Sequence, residues 1–192
     1  MKIYTIIAGV NGVGKSSLTG ALKAQQSDFG IIIDADKISA KLKNPVAGGK
    51  ATVMLIDDAL KRGISFTQET TLSGKKTEKT IKRAIEAGYK IRLYYVGLNS
   101  REESLSRIKN RVAKGGHDIP REDVVRRFEN RFKDLIKILP YCDEALFFDN
   151  ENGFKEAAQY KNGELLTNGK NSPEWLRAFE NELSDNPHII TL

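Results

Sequence analysis

The sequence predicts a three-layer α/β/α fold around a central, mainly parallel sheet, and three observations carry that expectation. Short apolar runs of strand length alternate with longer stretches of helical periodicity through the first 150 residues. A glycine-rich turn joins the first such run to the first helical stretch. Acidic residues stand where the next two runs end, the side of an open α/β sheet on which ligands bind.

The elements follow in order. Lys2 to Ala8 is nearly continuous in apolar and β-branched residues and reads as a buried strand. Lys15 to Gln26 reads as a helix and Gly30 to Ile33 as a second short strand. Thr52 to Arg62 has helical spacing, with Gly63 placed to take the left-handed conformation that ends a helix. Ile64 to Glu69 is a third strand, Lys76 to Ala87 a helix closed by Gly88, and Tyr89 to Gly97 an aromatic and β-branched strand. Ser100 and Glu103 have capping-box spacing at the start of a helix that ends near Gly115-Gly116. Pro120 opens a long helix to about Leu139, and Glu144 to Asp149 is a further strand. Beyond it, Asn162-Gly163 between two strand-like runs predicts a hairpin over Phe154 to Leu166. Ser172-Pro173 caps a last helix whose stripe is Trp175, Leu176, Phe179 and Leu183. Residues 1–192 are read as one domain. In it 1–150 form a core with a lid over about 100–131, and 151–192 are a hairpin-and-helix appendage.

Composition narrows the class. With 40% hydrophobic and 29% charged residues, a chain of 192 residues can bury its own core and is not a disordered type. No run approaches the roughly 20 apolar residues of a membrane span, and the N-terminus lacks a signal-peptide pattern. Cys142 is alone, which excludes an internal disulfide; a cytoplasmic location is expected, with no membrane partner. The net charge of +6 suits an anionic small molecule. No aromatic-rich basic motif accompanies it, so nucleic-acid binding is not expected.

Gly9-Val10-Asn11-Gly12-Val13-Gly14-Lys15-Ser16 fits the phosphate-loop pattern Gly-x4-Gly-Lys-Ser/Thr, with Ser17 following. The glycines allow a tight turn whose N–H groups point at phosphate oxygens, and the following helix adds its positive end. Lys15 is placed to reach the outer phosphates of ATP, and the Ser16 hydroxyl to hold Mg²⁺. The pattern and its strand–helix context predict a P-loop NTPase fold. Asp34 and Asp36 end the second strand. One is a candidate for holding a metal-bound water, the other for taking a proton from an attacking hydroxyl, and a helix cap is the competing role for Asp36, which precedes the helical run from Lys37. In Gln68-Glu69-Thr70-Thr71, Glu69 is a candidate for a water-bridged metal contact or, with Thr70, for a substrate contact. Arg107 and Arg111 edge one helical stripe; Arg121 lies at the start of the next, with Arg127 and Arg131 along one edge and Arg126 turned to solvent. Such arginines suit a lid over phosphates, with Lys114-Gly115-Gly116-His117 as a hinge and His117 as a possible substrate contact.

The ordered set GVNGVGKSS (9–17), IDAD (33–36), QETT (68–71), GYKIRLYYV (88–96) and RIKNRVAKGGHDIP (107–120) resembles the zeta toxin family of P-loop kinases, especially its smaller members. The resemblance covers most of residues 1–150. It implies an ATP-dependent kinase using Mg²⁺, with the 3′-hydroxyl of the amino sugar in UDP-N-acetylglucosamine as acceptor. In that family this blocks peptidoglycan precursor synthesis. It further implies Asp36 as general base, Lys15 on the ATP phosphates, Ser16 at the metal, and a possible antitoxin partner; with Asp36 as the base, Asp34 is the strand-end acid expected beside Ser16 at the metal. Of the lid arginines, Arg111 is the first choice for the transferring phosphoryl group, with Arg107, Arg121 and Arg127 as candidates. Two other readings share the phosphate loop: a nucleoside or nucleotide kinase, and a non-catalytic ATP-binding regulatory module.

Overall fold

Seven strands hydrogen-bond into one sheet in the computed structural model, which describes residues 1–169 and 172–186. They are β1 (Ile3–Ala8), β2 (Ile31–Asp34), β3 (Phe66–Thr70), β4 (Lys90–Gly97), β5 (Glu144–Asp149), β6 (Lys155–Lys161) and β7 (Glu164–Thr167). The order is β2-β3-β1-β4-β5-β6-β7; the first five strands are parallel and the last two antiparallel. All six residues of β1 are buried, because the strand is central and covered on both faces. Alternate residues serve opposite sides. Tyr4, Ile6 and Ala8 join Leu93 and Tyr95 of β4 in one apolar cluster, and Ile7 joins Tyr94 and Val96 in the other. These are the faces of an α/β/α sandwich, as the alternating pattern predicts.

The helices are α1 (Lys15–Lys23), α2 (Ala35–Leu42), α3 (Pro45–Arg62), α4 (Lys76–Glu86), α5 (Arg101–Ala113), α6 (Arg121–Glu129), α7 (Arg131–Ile138) and α8 (Glu174–Ser184). Three depart from expectation. Helix α3 starts at Pro45, a full two turns before Thr52, capped by Asn44, whose Oδ1 accepts from the N–H groups of Val46 and Ala47 at 3.0 Å. Gly48 and Gly49 make that stretch look like a loop. Packing explains Gly48: a Cβ there would lie 2.1 Å from Ser39 Oγ of α2. The helix expected over Pro120 to Leu139 breaks at Asn130, whose side-chain amide donates to the Arg126 carbonyl at 2.8 Å. At the start of α5 only half the capping box forms. Ser100 Oγ accepts from Glu103 N at 3.1 Å, while the Glu103 carboxylate turns to Arg107.

The C-terminal segment is not an appendage. β6 and β7 extend the central sheet, and α8 packs Trp175, Leu176 and Phe179 fully into the main core. Trp175 lies against Gly97, where a Cβ would come within 2.1 Å of the indole. Its ring N–H donates to Asp149 Oδ1 at 2.8 Å, satisfying the one polar atom it buries.

Candidate active site

The loop between β1 and α1 lies at the carboxyl end of the central strand, and its glycines are required by geometry. Gly9 has φ 142° and Gly14 φ 100°; a Cβ would come within 2.4 Å of the Val96 carbonyl oxygen at the first and 2.5 Å of Asn150 Nδ2 at the second. Val10 and Val13 turn inward to the apolar cluster of Leu18 and Phe29, which anchors the loop from below. Asn150 Nδ2 donates to Val13 O at 2.8 Å and Ser104 Oγ to Asn11 O at 2.6 Å, clamping it from two other elements. Gly14 caps α1 with no side-chain acceptor, leaving that helix end to an anion.

Lys15 folds back over the loop, with Nζ 3.0 Å from both the Gly9 and Val10 carbonyl oxygens. Burial pulls its ammonium down to about 8, against the opposing fields of Asp36, Glu69 and Asp34, while Arg127 adds to the depression. Glu69, 6% exposed at the end of β3, accepts from Ser16 Oγ at 2.6 Å and Thr19 Oγ1 at 2.7 Å. The strand-end acid beside Ser16 is therefore Glu69.

Asp34, expected as the metal partner of Ser16, makes its own contacts at the start of α2. Its Oδ1 accepts from the N–H groups of Asp36 and Lys37 at 3.1 Å, capping α2, and its Oδ2 pairs with Lys37 Nζ at 3.1 Å. The cap role thus falls on Asp34 and not on Asp36. The Asp36 carboxylate has no side-chain hydrogen bond or ion pair among the described residues and lines the same cavity as Lys15.

That cavity, about 780 Å³, brings together Asn11, Gly12, Gly14, Lys15, Ser16, Ser17, Asp34, Asp36, Glu69, Thr70, Arg111, His117 and Arg127 from the expected set. Arg127 Nη1 donates to Asn11 Oδ1 at 3.0 Å, tying α6 to the phosphate loop. Arg111 Nη2 donates to the His117 carbonyl at 2.7 Å, bracing the inter-helix turn. Thr70 Oγ1 accepts from Leu72 N at 3.0 Å and supports the turn after β3.

Two lid arginines fall outside. Arg107 pairs with Glu103 and donates to the Asn150 carbonyl at 2.6 Å, behind the loop. Arg121 stands exposed at the start of α6, away from the cavity. Arg131 does not share an edge with Arg127, because the break at Asn130 separates them; its guanidinium stacks on Phe128 and Phe132, 3.8 and 4.1 Å from the ring centroids.

Sequence reasoning missed Thr19, Ser104, Asn150 and the far wall formed by α3 and α4. Of these, only α4 carries a legible signal: Lys76, Lys79, Thr80 and Arg83 repeat at one-face helical spacing.

For Mg²⁺, Ser16 and Glu69 offer hard oxygens side by side. No cluster of three His, Cys, Asp or Glu residues suited to a metal occurs among the described residues. No helix among them is long and apolar enough to cross a membrane.

Comparison with known proteins places this geometry. The chain is 39% identical over 124 residues to an uncharacterised protein of Haemophilus influenzae, covering 62% of this chain and 86% of that one. A structure from the PezAT chromosomal toxin–antitoxin system of Streptococcus pneumoniae superposes with a TM-score of 0.65 at 17% identity, over 100% of this chain and 88% of that one. AvrRxo1-ORF1 in complex with ORF2, solved with ATP, gives 0.66 at 17% identity, over 94% of this chain and 63% of that one. At such identities the two structures share the fold. Residues 46–152, more than half the chain, match the zeta toxin family, and this protein therefore belongs to the zeta toxin family of P-loop kinases.

Proposed function

We propose that the protein transfers the γ-phosphoryl group of ATP to a hydroxyl of a UDP-activated sugar such as UDP-N-acetylglucosamine. The observation that carries the reading is the free Asp36 carboxylate facing the same cavity as Lys15. The phosphate loop and the N-terminal end of α1 hold the triphosphate, and Lys15 leaves its two loop carbonyls to pair with the outer phosphates. Ser16 and Glu69 would hold Mg²⁺, which would neutralise charge on the triphosphate. Asp36 accepts the acceptor's hydroxyl proton as the new O–P bond forms and the bond to the β–γ bridging oxygen breaks, releasing ADP. Arg111 and Arg127 approach from the lid side and stabilise the transferring group. ATP as donor is supported by the phosphate loop and by the ATP structure of AvrRxo1-ORF1. A small antitoxin-type protein partner belongs to the same reading, supported by the two-component systems in which similar folds occur.

The test is transfer of label from γ-labelled ATP to a panel of UDP-sugars, nucleosides and nucleotides. Label is expected on a UDP-sugar, lost in Asp36→Asn while ATP affinity stays within about threefold. Label on nucleosides or nucleotides alone would replace the acceptor assignment, and wild-type turnover in Asp36→Asn would remove the base.

A further inference from the structure

Side chains alternate across β3, so Gln68 and Glu69 serve opposite faces of the sheet. Glu69 faces Ser16 and Thr19 of α1. Gln68 faces the other way, where Tyr4 packs in one apolar cluster with Ile56 of α3 and Ile81 of α4. It lines the same cavity as Asp36, yet the phosphoryl-transfer scheme above gives it no part.

Gln68 is 8% exposed, and one end of its amide is already engaged: Oε1 accepts from the Tyr4 hydroxyl. Tyr4 is fully buried, stacks on Phe66 with ring centroids 4.4 Å apart, and has Gln68 as its one hydrogen-bond partner among the described residues. Burial drives the phenol's ionisation far above its usual range, so the O–H keeps its proton and needs an acceptor. That need fixes the amide, with its oxygen toward Tyr4 and its NH₂ group away from it. Nε2 has no acceptor among the described residues, and a donor left unpaired in so buried a side chain is costly. Two hydroxyls that line the cavity from the facing helices do not compete with it as donors. Thr52 Oγ1 donates to the Gly48 carbonyl at 2.8 Å, and Thr80 Oγ1 to the Lys76 carbonyl at 3.1 Å.

We infer that Gln68 is a specificity-determining residue for the acceptor, held by Tyr4 so that its amide N–H donates to a carbonyl or hydroxyl oxygen of the acceptor. The inference rests on the kinase reading above and deepens it. A neutral N–H on a buried wall gains from such an oxygen and gains nothing from hydrocarbon or an ammonium group. An acceptor that lacks the oxygen leaves the donor unpaired, and the site discriminates against it on that ground.

The experiment measures turnover of UDP-N-acetylglucosamine and of the nucleoside and nucleotide panel with γ-labelled ATP, in three variants. Gln68→Met keeps an unbranched side chain of similar length and removes the donor. It should lower kcat/KM for the acceptor about tenfold or more, with KM for ATP within about twofold of wild type. This variant also leaves the Tyr4 hydroxyl unpaired, so Gln68→Met/Tyr4→Phe removes both groups. Stability by chemical denaturation should recover in the double variant, while the acceptor defect persists. Tyr4→Phe alone lets the amide turn over and should lower acceptor kcat/KM about threefold. Wild-type acceptor kcat/KM in Gln68→Met, or its recovery in the double variant, would overturn the inference while leaving the UDP-sugar assignment standing. An unchanged value in Tyr4→Phe would remove the lock and leave the amide contact. If only a nucleoside or nucleotide is turned over, and Gln68→Met impairs it selectively, Gln68 keeps its role and the UDP-sugar assignment falls. Turnover of no acceptor overturns both.

Discussion

Raising the pH should release ATP before it unfolds the protein, because Lys15 is held near 8 by burial rather than at the usual 10.5. Triphosphate binding needs the charged ammonium, so the apparent Kd should climb about tenfold per pH unit once the free protein's Lys15 begins to lose its proton. At pH 9 the loss is roughly tenfold relative to pH 7. Stability should respond with the opposite sign. The folded value lies below the unfolded one, so between about 8 and 10.5 the unfolded chain binds more protons, and this contribution raises stability as pH increases. Its full size is at most about 3 kcal/mol, since the side chain stays partly open to the cavity. The assay is titration with a fluorescent ATP analogue from pH 6.5 to 9.5 at fixed ionic strength, with Lys15→Arg as control. Arginine keeps its charge across that range, so the control profile should be flat whatever its absolute affinity. A wild-type affinity constant up to pH 9.5 would refute the argument, placing the Lys15 titration above 10 and the ammonium in contact with water.

Two further perturbations separate metal positioning from core packing. Thr19→Val keeps side-chain volume but removes one of the two hydroxyls that hold Glu69. The Mg²⁺ concentration for half-maximal turnover should rise about tenfold, with near-normal rate at saturating Mg²⁺; an unchanged Mg²⁺ dependence would detach Thr19 from the metal side of the site. Trp175→Ala should cost about 3–5 kcal/mol by chemical denaturation, because the indole is fully buried against Gly97 and Tyr95, and a loss below 1 kcal/mol would contradict the placement of α8 in the core.

What could be read from the residues follows from where each constraint resides. The parallel half of the sheet is legible because strands buried on both faces must be continuous apolar runs, as IYTIIA of β1 is. The phosphate loop is legible because its backbone conformations demand glycine at fixed spacing. Features set by distant contacts are not. Gly48 is a poor helix former chosen by its contact with Ser39, so the true start of α3 is invisible locally. The break at Asn130 uses neither proline nor glycine, and it sends Arg127 to Asn11 while leaving Arg131 stacked on two phenylalanines. The hairpin and α8 read as peripheral, although Gly97 has no side chain because Trp175 fills its place.

The different partners taken by Asp34 and Glu69 are the most instructive of these contrasts. The two acids are register partners on neighbouring parallel strands, so both stand at the same level of the sheet beside the phosphate loop. What separates them is the chain that follows. Helix α2 begins at Ala35, directly after Asp34, and its unpaired N–H groups draw in the nearest carboxylate as a cap. After β3 the next helix does not begin until Lys76, so no helix end competes for Glu69. Its oxygens remain for the hydroxyls of Ser16 and Thr19 on α1. Asp36 escapes the same fate by lying inside the first turn of α2, beyond the cap, where its carboxylate projects from the helix into the cavity. In IDAD the first acid therefore builds the helix that presents the second. Asp34→Ala should accordingly act on transfer through Asp36: turnover falls with little change in ATP affinity, and Asp34→Asn or Asp34→Ser, which can still cap, restores most of it. Loss of ATP binding in Asp34→Ala, with no rescue by either capping residue, would return Asp34 to the phosphates and undo this division of labour.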